Sequence, residues 1–396
     1  MCYSLILIFC KWGVVMKKLW FKISILTFLL ILVGCNNILL LNTTEDESYL
    51  LDPEFSIQVD ERDGFRVSHS RNFYITPYTH GYIATALLEY MNDFLPYRLA
   101  FSDNELRAAE WIVATLHEMG FDDSQIAVQQ FYLDAKTSSW WGNHDIMVGM
   151  FHSSLEEDTA QLIETSQNII LTLPGLSEKT IVIGAHYDSV DNAGISDNAS
   201  GTVLLLETAY HMSYIEHYYT LQFVFFGAEE VGLVGSFYFT DNMTDSEIEN
   251  LVFMINADVI IDGPELVFSA GYIENLPDTR MNILFEGALS SQNAITKRIN
   301  EIADELNDEA TTNLISKPRG ILLPSDHLAF VEFGIPVVVF YSTHEIRYPE
   351  LFFGDVLHSK NDNLDFIMEN HSGRVQQALF EFGIFLETIL SRRITE

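Results

Sequence analysis

Three apolar segments of this chain each end in acidic or imidazole side chains. The segment TIVIGA is followed by His186 and Asp188, LQFVFFGA by Glu229 and Glu230, and LVFMINA by Asp258. Short runs of this kind, rich in β-branched and aromatic residues, predict buried strands. Because α/β sheets place their functional sites at the carboxyl ends of such strands, the pattern predicts that these polar side chains share one site.

Helical periodicity alternates with strand-like runs along most of the chain. QNIILTL and IPVVVFY are two further strand-like runs, and helical patterns cover residues 200–216, 232–242, 281–306, 325–333 and 370–391. Upstream, SDNELRAAEWIVATLHEMGF predicts a helix with Ser102 as its N-cap, Glu105 three residues later and Gly120 at its end. Strands that alternate with helices, several of them apolar throughout, predict an α/β sandwich with a mostly parallel central sheet.

The N-terminal segment is typical of an exported bacterial lipoprotein. Lys17, Lys18 and Lys22 precede an apolar run from Ile23 to Gly34. That run is short for a membrane span and typical of a signal-peptide core. It ends in LVGC, which resembles the lipobox in which a cysteine, here Cys35, receives a lipid. An ordinary signal peptide or anchor helix, in which this cysteine is incidental, is the alternative.

The same features predict three regions. Residues 1–35 form a leader whose true start is Met16, and residues 36–75 form an acidic tether. Residues 76–396 form a single domain that is large enough to be a catalytic domain. The cysteines Cys2, Cys10 and Cys35 all lie in the leader, so the domain contains neither a disulfide nor a cysteine metal site. We expect the domain to be held by its lipid at the outer face of the bacterial cytoplasmic membrane.

The charge of the chain excludes one class of partner. Its 396 residues contain 56 acidic and 21 basic side chains, a formal net charge of −35. Such a surface repels the phosphate backbone, so we expect no nucleic-acid partner. The oligomeric state does not follow from the sequence.

The side chains at the predicted site suit a pair of divalent metal ions. Imidazole and carboxylate ligands select zinc or a neighbouring first-row metal. Two such ions about 3.5–4 Å apart need a bridging carboxylate and share a water whose pKa falls towards about 7. A further carboxylate, bound to no metal, must accept the proton. Glu229 and Glu230 can divide the roles of ligand and base, because the side chains of adjacent residues point in different directions. This alternation of direction does not decide which glutamate takes which role.

Five motifs together resemble the co-catalytic zinc aminopeptidase family. They are HYDS…SDNASG, FFGAEEVGLVGS, INAD, SDHLAF…GIP and HSKNDNLD, and the resemblance runs over roughly residues 100–390 with matching order and spacing. Bacterial leucyl aminopeptidases and glutamate carboxypeptidase II belong to this family, and glutaminyl cyclase is a relative. The resemblance implies a three-layer α/β sandwich around a mixed, mostly parallel sheet, two zinc ions per chain, and peptide substrates with a free N-terminus.

The resemblance also implies a ligand set. His186 and Asp258 would bind the first metal, Glu230 and His358 the second, and Asp197 would bridge the two. His358 is the weakest of these assignments, since other histidines lie in the C-terminal part of the chain.

The remaining roles follow from the same resemblance. Glu229 would be the general base, and Asp188 would orient the imidazole of His186. Asp326 and His327 would be structural or substrate-side, with Ser325 or Asp326 as the cap of the helix that follows. Two more residues, His344 and Tyr348, either face the substrate or belong to a polar loop.

One position departs from the family pattern. Many members have a tyrosine directly before the last histidine ligand, where its hydroxyl stabilises the oxyanion, and this chain has Leu357. An oxyanion donor is typically worth about 10²–10³ in rate. Tyr348, His344 or the metals themselves would then have to supply this stabilisation.

Three functions therefore remain open at the level of sequence. The first is a metal-dependent exopeptidase, most simply an aminopeptidase, with a metal-activated water and a glutamate base. The second is a glutaminyl-cyclase-like acyltransferase with one zinc, which the short interval from His186 to Asp197 disfavours. The third is a non-catalytic binding lipoprotein on the same fold, which the complete candidate ligand set disfavours.

Overall fold

The computed structural model describes residues 58–60, 64–66, 79–132, 163–271, 293–317, 325–344, 356–371 and 373–395. Residues 57–396 form one compact unit. The predictions for Met16, Cys35 and Tyr348 lie outside the described residues.

The centre of the fold is an eight-stranded mixed sheet in the order β3-β4-β6-β5-β7-β10-β8-β9. The strands are β1 Gln58–Asp60, β2 Gly64–Arg66, β3 Ile126–Tyr132, β4 Thr165–Leu173, β5 Ser177–His186, β6 Tyr219–Phe226, β7 Leu251–Ala257, β8 Glu265–Gly271, β9 Ile315–Ser316 and β10 Val337–Thr343. The β6/β5, β5/β7, β7/β10 and β8/β9 pairs are parallel. The β3/β4, β4/β6 and β10/β8 pairs are antiparallel.

Helices cover both faces of this sheet. They are α1 Tyr82–Phe94, α2 Asp103–Glu118, α3 Ser200–Met212, α4 Val234–Asp241, α5 Asp245–Asn250, α6 Ala294–Asp308, α7 His327–Val331, α8 Leu364–Asn370 and α9 Arg374–Ser391. On one face, Phe237 of α4 and Phe330 of α7 join a buried cluster with Val182 of β5. On the other, Phe382 of α9 stacks on Phe340 of β10 with ring centroids 5.1 Å apart. The predicted three-layer α/β sandwich is confirmed.

Most predicted elements form near their predicted positions. The side chain of Ser102 caps α2 by accepting a hydrogen bond from the Glu105 backbone amide, as predicted. The helix predicted over residues 281–306 is described from Ala294 onward, where the Asn293 side chain caps it. Strands β3 and β8 were not predicted, because their short sequences show neither a long apolar run nor regular alternation. The β1/β2 hairpin lies within the segment predicted to be a tether.

One predicted cap is wrong. No side chain caps the N-terminus of α7. The hydroxyl of Ser325 instead accepts a hydrogen bond from the side-chain amide of Asn256 at 2.8 Å, because the two residues are buried against each other.

Among the described helices, none combines the length and apolar character needed to cross a membrane.

The order of the central strands determines where a site can form. Strands β6, β5 and β7 are neighbours and run parallel, so their carboxyl ends lie at one edge of the sheet. His186 pairs in register with Phe226, and Gly184 pairs with Asn256, so the three strands end at nearly the same level. The residues that follow each strand therefore meet.

Candidate metal centre

The imidazole of His186 lies between two carboxylates. His186 is the last residue of β5 and is 1% exposed. Its Nε2 lies 3.1 Å from Oδ1 of Asp197 and 3.2 Å from Oδ1 of Asp258. Asp258 directly follows β7, and its backbone amide donates to the carbonyl of Phe340 in β10 at 3.0 Å. Two adjacent strands therefore fix two of these three potential ligands, and Asp197 comes from the segment that follows β5.

Asp197 joins this group to a second one. Its other oxygen, Oδ2, lies 3.0 Å from Nε2 of His358. The same nitrogen lies 3.2 Å from Oε2 of Glu230. The two oxygens of one carboxylate thus face two different histidines, and each histidine has one further carboxylate of its own. This is the arrangement expected of a bridging ligand between two metal ions.

Burial and mutual repulsion control the ionisation of these carboxylates. Burial raises the pKa of Glu230 to about 7, and the nearby charge of Asp197 adds to the effect. Burial opposes the ionisation of Asp197 too, but hydrogen bonds from His186 and His358 outweigh it and lower its pKa. The carboxylates of Glu230 and Asp197 raise the pKa of His358 to about 12. The excess negative charge of the cluster therefore attracts protons to its imidazoles.

The residues present fit divalent cations. The Oε1 atom of Glu230 is buried and has no hydrogen-bond partner among the described residues. An unpaired buried carboxylate oxygen is costly unless a cation compensates it. Oxygen and imidazole nitrogen are ligands that zinc accepts, and cations would take over the charge compensation that protons supply otherwise.

Glu229 occupies a different place from its neighbour. An oxygen of Glu229 lies within 4.8 Å of ligand atoms of His186 and Asp258, beside the first group of ligands, whereas Glu230 contacts His358 in the second. Burial raises the pKa of Glu229 well above its ordinary value, and the charge of Glu230 adds to the effect. Glu230 also lies within 4.8 Å of His186 and Asp197, so it is close to both groups, whereas its contact with His358 belongs to the second.

Asp188 connects the strand that holds His186 to the loop that holds the paired glutamates. Its Oδ1 accepts a hydrogen bond from the backbone amide of Glu229 at 3.0 Å, and its Oδ2 accepts one from that of Glu230 at 3.1 Å. Its Oδ1 also lies 3.4 Å from Nδ1 of His186. The backbone carbonyl of Asp188 lies closer still to this nitrogen, at 3.2 Å, so one buried aspartate contacts all three residues.

The loop that carries Asp197 is held by two residues that the sequence did not single out. Arg98 is fully buried and donates to the carbonyls of Tyr187 at 2.6 Å and Gly194 at 2.7 Å. Asp362 accepts hydrogen bonds from the backbone amides of residues 195, 196 and 197 at 3.0, 2.6 and 3.1 Å. Burial lowers the pKa of Arg98 to about 10, so it stays cationic at neutral pH and balances part of the acidic charge.

Two more buried residues hold the backbone next to the candidate ligands. Oε1 of Glu105 accepts from the backbone amide of Ala228, directly before the paired glutamates, at 2.9 Å. The Asn198 side chain donates to the carbonyl of Ala257 at 2.9 Å and so ties the loop of Asp197 to the end of β7. A signal for Asp362 and Asn198 exists in the motifs HSKNDNLD and SDNASG, but none exists for Arg98.

The predicted substrate-side residues lie in different surroundings. Asp326 and His327 are both fully buried, so neither side chain faces solvent. Burial raises the pKa of Asp326 to about 7 and lowers that of His327 to about 3. His344 follows β10, and its ring centroid lies 6.3 Å from that of His371.

At the position of the missing tyrosine, Leu357 is half-buried, and its backbone amide donates to Oδ1 of Asp262 at 3.1 Å. That amide is therefore already paired and is not a free oxyanion donor.

The fold and the site define an α/β protein with an acidic cluster of carboxylates and two histidines, a candidate metal centre, at the carboxyl edge of its sheet. The chain belongs to Peptidase family M28, whose family model matches residues 168–383, more than half of the chain. The matched segment contains every candidate ligand described above.

Individual relatives agree with this assignment. The chain is 34% identical to aminopeptidase YwaD of Bacillus subtilis over 136 residues, which cover 33% of this chain and 30% of that protein. The chain spans between 23% and 39% of the length of the first curated relatives that it matches.

Solved structures share the fold. The zinc aminopeptidase BSAP from Bacillus subtilis superposes with a TM-score of 0.58 at 17% identity, over 81% of this chain and 97% of that chain. A glutaminyl cyclase from an Acidobacteriales bacterium superposes with a TM-score of 0.53 at 18% identity, over 82% and 99%. The expected family and fold are thus confirmed.

Proposed function

We propose that this protein is a zinc-dependent aminopeptidase that uses two metal ions. The observation that carries the proposal is the carboxylate of Asp197, whose two oxygens face His186 and His358 separately. With Asp258 on one side and Glu230 on the other, the site offers three ligands to each of two cations.

Within this site, Glu229 would move the proton. When bound, zinc lowers the pKa of water and polarises the scissile carbonyl. Glu229 takes one proton from the attacking water and delivers it to the departing amine nitrogen. The water oxygen bonds to the carbonyl carbon, the peptide C–N bond breaks, and the glutamate is regenerated. Asp188 holds this glutamate in place through the hydrogen bond to its backbone amide.

The substrate follows from the charge of the surroundings. Bound cations would neutralise the carboxylates of the metal centre, but the chain as a whole carries a net charge of −35. A free α-ammonium group is the cationic end of a peptide, so these surroundings favour removal of the N-terminal residue over removal of the C-terminal one.

The glutaminyl-cyclase alternative shares the fold, and structural likeness at this level of identity does not separate the two reactions. What favours hydrolysis is the presence of both ligand groups, since a single-zinc cyclase needs only one of them. A non-catalytic protein on this fold would have no use for a buried glutamate beside the ligands.

The experiment that tests the proposal compares the two adjacent glutamates. Full-length wild-type protein, Glu229→Gln and Glu230→Gln are assayed for zinc per chain and for release from aminoacyl-anilides and N-terminal glutaminyl peptides. We expect Glu229→Gln to lose about 10²–10⁴-fold in rate while keeping its metal, because the base alone is lost. Glu230→Gln is the matched control, and we expect it to lose zinc as well as rate.

Three results would overturn the proposal. One is metal loss in Glu229→Gln, which would make that residue a ligand. Another is cyclisation of glutaminyl peptides without hydrolysis of anilides. The third is a wild-type protein that holds zinc at this centre and turns over neither substrate.

We further propose that the protein is exported and anchored by a lipid on Cys35 at the outer face of the cytoplasmic membrane. The support is the basic, apolar and LVGC sequence of residues 17–35. Replacement by Cys35→Ser would remove the thiol of the LVGC motif that receives the lipid. We expect wild-type protein to fractionate with membranes and incorporate labelled palmitate, and the variant to do neither. Equal labelling of both proteins would contradict the proposal.

A further inference from the structure

A second cluster of potential metal ligands lies outside the site described above. His80, His211 and Glu387 each offer one ligand atom, and these atoms lie within 4.8 Å of one another. Oε2 of Glu387 lies 2.8 Å from Nε2 of His80, and Oε1 lies 2.5 Å from Nδ1 of His211. The cluster combines two imidazoles with one carboxylate, a donor set that zinc accepts in proteins.

The three residues lie at the ends of three different helices. His80 lies two residues before the start of α1, His211 lies in the last turn of α3, and Glu387 lies in the last turns of α9. Gly383, one turn before Glu387, makes room for the first histidine, since a Cβ there would lie 3.2 Å from Cβ of His80. The cluster thus lies where the N-terminal end of one helix meets the C-terminal ends of two others.

The cluster is separate from the candidate active site. Helix α3 has 13 residues and begins just after Asp197, whereas His211 is near its other end. At 1.5 Å per residue, the helix separates the two places by roughly 20 Å. Metal bound at one place would therefore share no ligand with metal bound at the other.

Within the cluster, Nε2 of His80 remains available to bind a cation. Nε2 of His80 is shielded from solvent and has no hydrogen-bond partner among the described residues, although it lies close to Glu387. A nitrogen near a carboxylate, but poorly aligned for a hydrogen bond with it, can point its lone pair at a cation between them. The three side chains are between 14% and 28% exposed, so ions can reach the cluster from solvent.

A neighbouring acid positions the first histidine and adds negative charge. Both oxygens of buried Glu207, one turn before His211, accept backbone amides, from Gly81 at 2.7 Å and Ile83 at 3.0 Å. These bonds fix the chain next to His80. With both oxygens in use, Glu207 contributes charge rather than a ligand atom.

We propose that His80, His211 and Glu387 bind a structural zinc ion, separate from the metals of the active site, that joins α1, α3 and α9. Three protein ligands leave a fourth position for water. The ion supports the helix layer and takes no part in peptide hydrolysis.

The experiment counts zinc in the full-length protein after dialysis against buffered Zn²⁺. The variants are Glu387→Gln and His211→Gln, with His117→Gln as the matched control, since His117 contacts the carbonyl of Phe121 and the exposed Asp123 and does not belong to this cluster. We expect each cluster variant to bind one zinc fewer than wild type, and the control to bind as much as wild type. Peptidase activity per folded molecule should not change.

A second set of variants, in which the candidate active site is disrupted, tests this proposal independently of the proposed function. Asp197→Asn combined with His358→Ala removes the shared ligand of the active site. We expect this protein to keep one zinc, which raises its unfolding temperature, and to lose both the ion and the stabilisation when Glu387→Gln is added. Equal zinc content with and without Glu387→Gln, in both backgrounds, would overturn the structural site whatever the active site binds.

Discussion

The most influential single residue outside the ligand set is Asp188. It contacts the backbone of both paired glutamates and lies beside the imidazole of His186, so three functional groups depend on two oxygens. The position of these groups matters as much as their identity, because a small displacement of a ligand or of the base lowers the reaction rate strongly.

We therefore predict that Asp188→Asn lowers zinc affinity or kcat/KM by about 10–100-fold with little change in fold. The amide nitrogen of asparagine would face a backbone N–H donor, so one of the two hydrogen bonds to the glutamate loop is lost. Metal competition assays and steady-state kinetics measure the effect. Asp123→Asn, at a fully solvated position, is the control and should behave as wild type. Wild-type kinetics in Asp188→Asn would show that the loop holds its position unaided.

At this scale the sequence motifs contained the candidate ligands and the supporting residue Asp188, but they gave no indication of Arg98. His186, Asp197, Glu229 and Glu230 lie in short motifs, where residue type and spacing state the chemistry. Arg98 lies 89 residues from the carbonyl of Tyr187 that it binds, and no local pattern reports such a contact. Only the fold brings it there.

At the scale of elements, the turn between β6 and α4 is the critical piece. The backbone amide of Gly235 donates to the carbonyl of Gly227 at 3.1 Å, so the ends of this turn nearly touch. Asn168 in β4 bridges them, accepting from the amide of Gly227 and donating to the carbonyl of Gly235. The turn between them carries both glutamates of the site.

We predict that Gly235→Ala destabilises the fold and impairs activity together. A Cβ at this position would lie 2.2 Å from the carbonyl oxygen of Gly227, so backbone must move, at a cost of about 1–3 kcal/mol. Urea unfolding and kinetics on the same samples test this. Gly120→Ala meets no atom within 4 Å but has φ +96°, so it should cost about 1–2 kcal/mol without affecting turnover. Loss of stability in Gly235→Ala with full activity would contradict the coupling.

Element prediction succeeded where a strand is a continuous apolar run and failed where polar or small residues interrupt that run, since the missed β3 and β8 are as long as β7 and β10. β5, β6, β7 and β10 are long apolar runs, and all were predicted. β8 is fully buried, yet its sequence ELVFSAG mixes polar and small residues because both of its neighbours supply the packing. Pairing with β10 and β9 places β8 in the sheet, and the pattern of apolar residues in its own sequence does not.

At the scale of the whole molecule, net charge is the dominant electrostatic property. With 56 acidic and 21 basic residues, the folded chain concentrates negative charge that an unfolded chain would spread out. Self-repulsion of this kind destabilises the compact state, and salt screens it over about 10 Å at 0.1 M.

We predict that the unfolding temperature of the full-length protein rises as NaCl is increased from low concentration to about 0.5 M, where the screening length is only a few ångströms. Differential scanning calorimetry at constant zinc measures the shift. A neutral solute at matched osmolality is the control and should have a smaller effect. A flat response to NaCl would mean that bound cations already neutralise most of the repulsion.

The attachment of the Asp197 loop to Asp362 has a consequence for the chain while it is being made. Every strand that the structure describes ends by Thr343, but His358 and Asp362 come afterwards. A nascent or truncated chain could therefore complete its sheet and still lack both a ligand and the group that fixes the bridging carboxylate. Completion of the candidate metal centre therefore requires residues that follow the last strand, and a chain that ends before residue 358 would carry the sheet without this centre.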